Sequence, residues 1–225
     1  MTLDEIIHFL EAQRDPAAVA GMARYGIVGQ EVFGVKIPVL RALAKEIAPN
    51  HDLAQQLWTY PSRETRVLAT MIDRWKWVDE TQMDKWVVDF DSWEVCDQAC
   101  GNIFAFTPFA VDKALEWSDR PEEFVKRAGF VLMADLAHKD KKTIDDQLAN
   151  FLPVIEREAG DGRNFVKKAV NWALRDIGKR NLTLNAQAII TAQQLIRRTE
   201  TSARWIGRDA YRELAGEAVQ SRLGA

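Results

Sequence analysis

Residues 165–179 read Phe-Val-Lys-Lys-Ala-Val-Asn-Trp-Ala-Leu-Arg-Asp-Ile-Gly-Lys, and the spacing of their apolar side chains decides the fold class. At the ~100° per residue of an α-helix, Val166, Val170, Ala173, Leu174 and Ile177 share one face. Lys168, Asn171, Trp172, Arg175 and Lys179 share the opposite face. No period of two competes, so the segment predicts a helix with one buried and one cationic face.

The same period continues on both sides, punctuated by capping signals. Gly160-Asp161-Gly162 is a turn before this helix. Asp15-Pro16 is an N-cap with proline in the first turn, and Gly26 closes that helix. Pro38 opens the next, Pro49-Asn50 separates it from another, and Pro61 starts a helix predicted to run to Val78. Asp79 with Gln82, and Thr143 with Asp146, read as capping boxes. Pro108 and Pro121 mark further starts, and Thr183 and Thr201 read as caps of the last two helices. The result is roughly twelve or thirteen helices of about 10–18 residues. One pair every ~35–40 residues is the range of HEAT-type repeats. The predicted fold is all-α: one domain over 1–225, an α-solenoid of HEAT-like helix pairs with a concave basic face. An irregular helical bundle is the alternative.

Composition narrows the function. The 225 residues are 47% hydrophobic and 28% charged, an ordinary globular balance. No apolar run approaches the ~20 residues of a membrane span. Met1-Thr2-Leu3-Asp4-Glu5 lacks a basic leader, so a cytoplasmic chain with no membrane partner is expected. Cys96 and Cys100 lie one turn apart while His8, His51 and His138 are scattered. Buried small residues fit this better than a metal site, and neither metal nor organic cofactor is expected. A phosphate-binding glycine loop, an ordered Ser/His/Asp set and a dinucleotide fingerprint are all missing. The net charge of -3 argues against a dedicated nucleic-acid domain, but its distribution is uneven. Residues 1–125 hold 12 Lys and Arg against 21 Asp and Glu, and residues 126–225 hold 18 against 12. One basic surface on an acidic body fits this asymmetry.

Three places are candidates for function, and at the first a large aromatic departs from ordinary burial. Trp172 lies within the cationic face of its helix. Packing on a neighbouring repeat explains that, and so does a polyanion surface where cations meet phosphates and the indole meets sugar or base. In the helix predicted from about Asp91 to Phe104, Val95, Cys96, Ala99 and Ile103 form the apolar face. Trp93, Asp97 and Gly101 run along another flank, leaving space near a carboxylate. A local hydrogen bond on an exposed helix is the plainer alternative for Asp97. Arg127 points opposite Val125, Leu132 and Leu136, as a surface arginine would. Most of the eight tryptophans, among them Trp58, Trp75, Trp77, Trp86 and Trp117, read as packing inside helices.

At these residues the sequence resembles the DNA alkylation repair family of HEAT-like-repeat DNA glycosylases, the AlkD type, over nearly the whole chain. The resemblance rests on Met22-Ala23-Arg24-Tyr25-Gly26-Ile27, on Phe33-Gly34-Val35 with Pro38 and Arg41, and on Ser92-Trp93-Glu94-Val95-Cys96-Asp97. It continues in Lys126-Arg127 and in Lys168-Ala169-Val170-Asn171-Trp172-Ala173-Leu174-Arg175. A tryptophan often found three residues before the matched arginine is Phe124 here. The resemblance implies excision of positively charged N-alkylated purines, of the 3-methyladenine and 7-methylguanine type, from double-stranded DNA by a monomer without cofactor. It implies that Asp97 is the catalytic carboxylate, that Trp93 and Trp172 flank the damaged nucleotide's sugar, and that Arg127 holds the backbone. Tyr25 then faces the DNA, with Lys168, Arg175 and Lys179 as the cations of that surface. A non-catalytic binder of damaged or branched DNA and a HEAT scaffold for proteins are the alternatives.

Overall fold

The computed structural model describes residues 1–139 and 143–224. Met1–Thr107 form one compact unit and Pro108–Ala225 a second. The first contains α1 (Leu3–Ala12), α2 (Pro16–Arg24), α3 (Ile37–Ile47), α4 (His51–Thr59), α5 (Arg63–Ile72), α6 (Glu80–Val87) and α7 (Trp93–Asn102), then a 3₁₀ turn (Phe104–Phe106). The second contains α8 (Ala110–Ser118), α9 (Glu123–His138), α10 (Asp145–Ala149), α11 (Phe151–Glu158), α12 (Asn164–Gly178), α13 (Leu182–Arg197), α14 (Thr201–Leu214) and α15 (Glu217–Gly224). The described residues form no sheet; their only extended pairing is a lone parallel bridge between Glu31 and Ser62. Among them no helix is long and apolar enough to cross a membrane.

In the first unit α3, α5 and α7 lie side by side, with α4 against α5. In the second, α9, α12 and α14 do the same, with α8 against α9 and α13 against α14. The repeat that is faint in the sequence is plain in the hydrogen bonds between these neighbours. Trp58 reaches Asp89 and Arg63 reaches Glu94 across 31 residues each, and Asn102 reaches Thr70 across 32. In the second unit the offset is 38 for Arg127 to Phe165, Asn171 to Asp209 and Arg175 to Glu213. This is the HEAT-like array that the helical periods predict.

The helices are more numerous and shorter than expected: fifteen α-helices among the described residues, with α10 only 5 residues long. The helix expected to reach Val78 ends at Ile72. Asp73 turns extended there, and its carboxylate is drawn inward by His51 Nδ1 (2.9 Å), the Arg74 N–H (2.7 Å) and Gln82 Nε2 (2.8 Å). Trp75 and Trp77 therefore stand on a connection at 37% and 46% exposure rather than in a helix interior. Trp58, Trp86 and Trp117 are buried as expected, the first two stacked 3.9 Å apart.

Asp79 caps α6 through the Gln82 N–H, but the Gln82 side chain goes to Asp73, so the reciprocal half of the box is unused. Ile144, not Thr143, stands at the N-cap of α10, and it gives no side-chain hydrogen bond. Asn181, not Thr183, caps α13, because it stands one residue before the first helical turn and its carboxamide reaches the Leu184 N–H (2.9 Å). Thr201 is already helical, behind Glu200.

Candidate functional site

The first unit positions its candidate residues through a buried ionic knot. Glu64, in the first turn of α5, accepts the backbone N–H groups of Phe33 (3.0 Å), Gly34 (2.8 Å) and Val35 (3.1 Å). Gly34 has φ +85°, and a Cβ there would lie 2.5 Å from the Asp15 carbonyl oxygen, so only glycine fits this cradle. The Phe33-Gly34-Val35 motif is thus explained structurally, as the cradle of a buried carboxylate. Arg63 pairs with Glu64 (3.1 Å) and reaches Glu94 Oε2 at 2.7 Å, locking the first turn of α7 to that of α5. Ser92 caps α7 through the Val95 N–H, and Trp93 is its first helical residue. Just before it, burial pushes the Asp91 carboxyl up, only partly opposed by Arg66 at 3.0 Å.

On this frame three sequence-predicted residues come together. The Trp93 indole N–H donates to the Tyr25 carbonyl oxygen at 2.9 Å, which fixes the plane of the ring. Tyr25 ends α2, followed by Gly26 at φ +76°, and its own ring is 74% exposed. Asp97 lies one helical turn after Trp93 on the same row and is half-buried. Cys96 and Cys100 are buried on the packed side.

The other five lie in the second unit. Arg127 is no surface arginine: it is 6% exposed, and its Nη1 donates to the Phe165 carbonyl at 2.7 Å, bolting α9 to the first turn of α12. The ring of Phe124 sits 5.6 Å from that of Phe165. On α12, the half-buried Trp172 donates its indole N–H to Asp176 Oδ2 at 2.8 Å, and Asp176 Oδ1 takes Lys179 Nζ at 2.6 Å. Arg175 reaches Glu213 at 2.6 Å, and Lys179 reaches the same carboxylate at 3.1 Å. Burial works against the ionised Glu213, but the hydrogen bonds from Lys179 and Arg175 outweigh it and hold the carboxyl below its ordinary range. Two of the three cations assigned to DNA are therefore met by α14. Lys168 is exposed, without an ion-pair partner among the described residues.

Sequence reasoning missed Arg63, Glu64 and Glu94, although an adjacent Arg-Glu opening an apolar helix is itself a signal. It also missed Asp176, which stands four residues after Trp172 on the same row.

A family model described as "DNA alkylation repair enzyme" matches residues 6–214. No curated protein matches the sequence. A solved structure described as "a new family of proteins related to the HEAT-like repeat DNA glycosylases with affinity for branched DNA structures" is similar at 19% identity and a TM-score of 0.81, covering 100% of this chain and 97% of the other. A designed armadillo repeat protein bound to a (KR)4 peptide is similar at 16% identity and a TM-score of 0.40, covering 79% of this chain and 91% of the other.

Proposed function

Because the chain belongs to the DNA alkylation repair enzyme family, we propose that it excises positively charged N-alkylated purines from DNA by hydrolysing the N-glycosidic bond. The observation that carries this reading is the arrangement on α7: a half-buried Asp97 one turn from an indole whose plane is held by the Tyr25 carbonyl.

An N-alkylated purine leaves as a neutral base, so no general acid is required. Positive charge instead develops on the deoxyribose as the C1′–N bond breaks. A fixed carboxylate stabilises that charge without reorganising, as at other oxocarbenium-like centres. Asp97 is the group for this role, and it also orients the water that adds to C1′ and accepts the proton the water sheds. The indole of Trp93 offers a negative π-face to the same cation. On α12 Trp172, its indole held by Asp176, meets the DNA. Arg127 is a positioning residue that holds the start of α12, and Tyr25 and Lys168 contact the DNA from solvent-exposed positions.

A second reading keeps the DNA and drops the chemistry. It is favoured by the 19%-identical neighbour with affinity for branched DNA. The deciding experiment is release of methylated purines from alkylated duplex DNA by wild type and Asp97→Asn. On the glycosylase reading, Asp97→Asn keeps DNA affinity and loses excision by about a hundredfold or more. Equal excision by both removes Asp97 from the mechanism, and binding without excision by either selects the second reading.

A further inference from the structure

We propose that the outer face of α14 is a phosphate-binding row for the backbone of DNA, a site that rests on the DNA-directed reading above. Arg204, Arg208 and Arg212 stand at i, i+4 and i+8 of this helix. Four residues of α-helix rise about 6 Å, so the row presents cations at that interval to a backbone carrying one phosphate per about 3.4 Å of helix axis on each strand. Arg204 and Arg208 have no ion-pair partner among the described residues, and the Arg212 side chain is 80% exposed. Of the carboxylates of α14, only Asp209 pairs with the row, at Arg212 (2.5 Å), which leaves Arg204 and Arg208 as its unpaired cations among the described residues. Glu213 is held by Arg175 and Lys179, and Asp209, which Arg212 shares, takes Asn171 Nδ2 at 2.8 Å.

Trp205 lies within the row, 39% exposed, with Lys167 Nζ 4.8 Å from its ring centroid. Trp205 and the three arginines, together with Thr201 and Asp209, line a shallow cavity of about 370 Å³. Cations with an accessible indole among them are the elements that bind a nucleic-acid backbone and stack on its sugars or bases. The helix is also held rigidly. A Cβ on Gly207 would lie 2.5 Å from the Ala192 carbonyl oxygen, so α14 sits hard against α13 and the row is preorganised. The second unit thus engages Arg175 and Lys179 of α12 internally and leaves Arg204 and Arg208 of α14 available for a polyanion.

The test titrates a labelled undamaged duplex with full-length protein at a series of salt concentrations. Arg204→Gln with Arg208→Gln keeps two good helix formers at positions that are not buried. This double variant is expected to bind about tenfold more weakly, with a slope of log affinity against log salt lower by about two. Trp205→Ala is expected to lose roughly fivefold or more with an unchanged slope. Lys85→Gln, an exposed cation on α6, leaves both quantities as in wild type. If wild type binds and the double variant matches it in affinity and slope, the row is overturned and the proposed function stands. An equal loss of slope in Lys85→Gln overturns the row as well, because net charge then accounts for it. Wild type without affinity for any DNA overturns both.

Discussion

The two units hold neighbouring repeats together with opposite kinds of electrostatics. In the first, Arg63 and Glu64 are almost fully buried where α5 meets α7 and the Phe33-Gly34-Val35 segment. In the second, the corresponding clasp between α12 and α14 is only partly buried, with Arg175 and Glu213 side chains 30% and 33% exposed. A buried pair is costly to break because the abandoned partner stays out of water, whereas an exposed pair adds little and its loss is made up by solvent. The charge balance differs in the same sense. Residues 1–107 carry 10 Lys and Arg against 16 Asp and Glu, and residues 108–225 carry 20 against 17. The unit with a rigid ionic frame thus bears the carboxylate proposed for the chemistry, and the unit with a surplus of cations bears the surface proposed for the polyanion.

The contrast breaks most readily at Glu64. Glu64→Ala leaves three buried backbone N–H groups without their acceptor and takes from Arg63 one of its two carboxylate partners, and a loss of about 3–5 kcal/mol in urea unfolding is expected. A loss under about 1 kcal/mol would mean that the buried knot is no frame at all.

Glu213→Gln at the other clasp should cost about 0.5–1 kcal/mol, as partly exposed pairs do. Its pH dependence sharpens the comparison. Glu213 titrates below its ordinary 4.5 in the folded chain, so its contribution is complete above that value. It is lost as pH falls through the lowered folded value. Glu158, bonded by Lys126 at 2.7 Å, and Asp161, bonded by Arg163 at 2.6 Å, are lowered as well, against the pull of their burial. Acid titration of stability should therefore show wild type losing more than Glu213→Gln below about pH 4.5. Parallel curves would show that the clasp contributes nothing.

The smallest effect belongs to the exposed connection after α5. Trp77→Ala should change stability by no more than about 0.5 kcal/mol, whereas Trp58→Ala, a buried indole stacked on Trp86, should cost about 3–5 kcal/mol. Equal costs would restore both residues to a packing role.

The helical class, most starts and the HEAT-like pairing were legible in the sequence, because apolar period and caps act within a few residues of chain. Asp15 and Asp79 cap as their positions indicate. The Trp93 and Asp97 row was legible for the same reason, since residues four apart on one helix must be neighbours. What lay between helices was not legible. Local pattern made Lys179 and Arg175 a cationic stripe, and only the packing of α12 on α14 put Glu213 between them. Arg127 read as a surface arginine until α12 brought the Phe165 carbonyl to it. Trp77 read as helical until Asp73 found His51 and Gln82 on other elements and ended the helix. Helix propensity is a sum over neighbours in sequence. The burial of a charge and its partner depend on neighbours 9 to 38 residues away, which only the folded chain brings within hydrogen-bond reach.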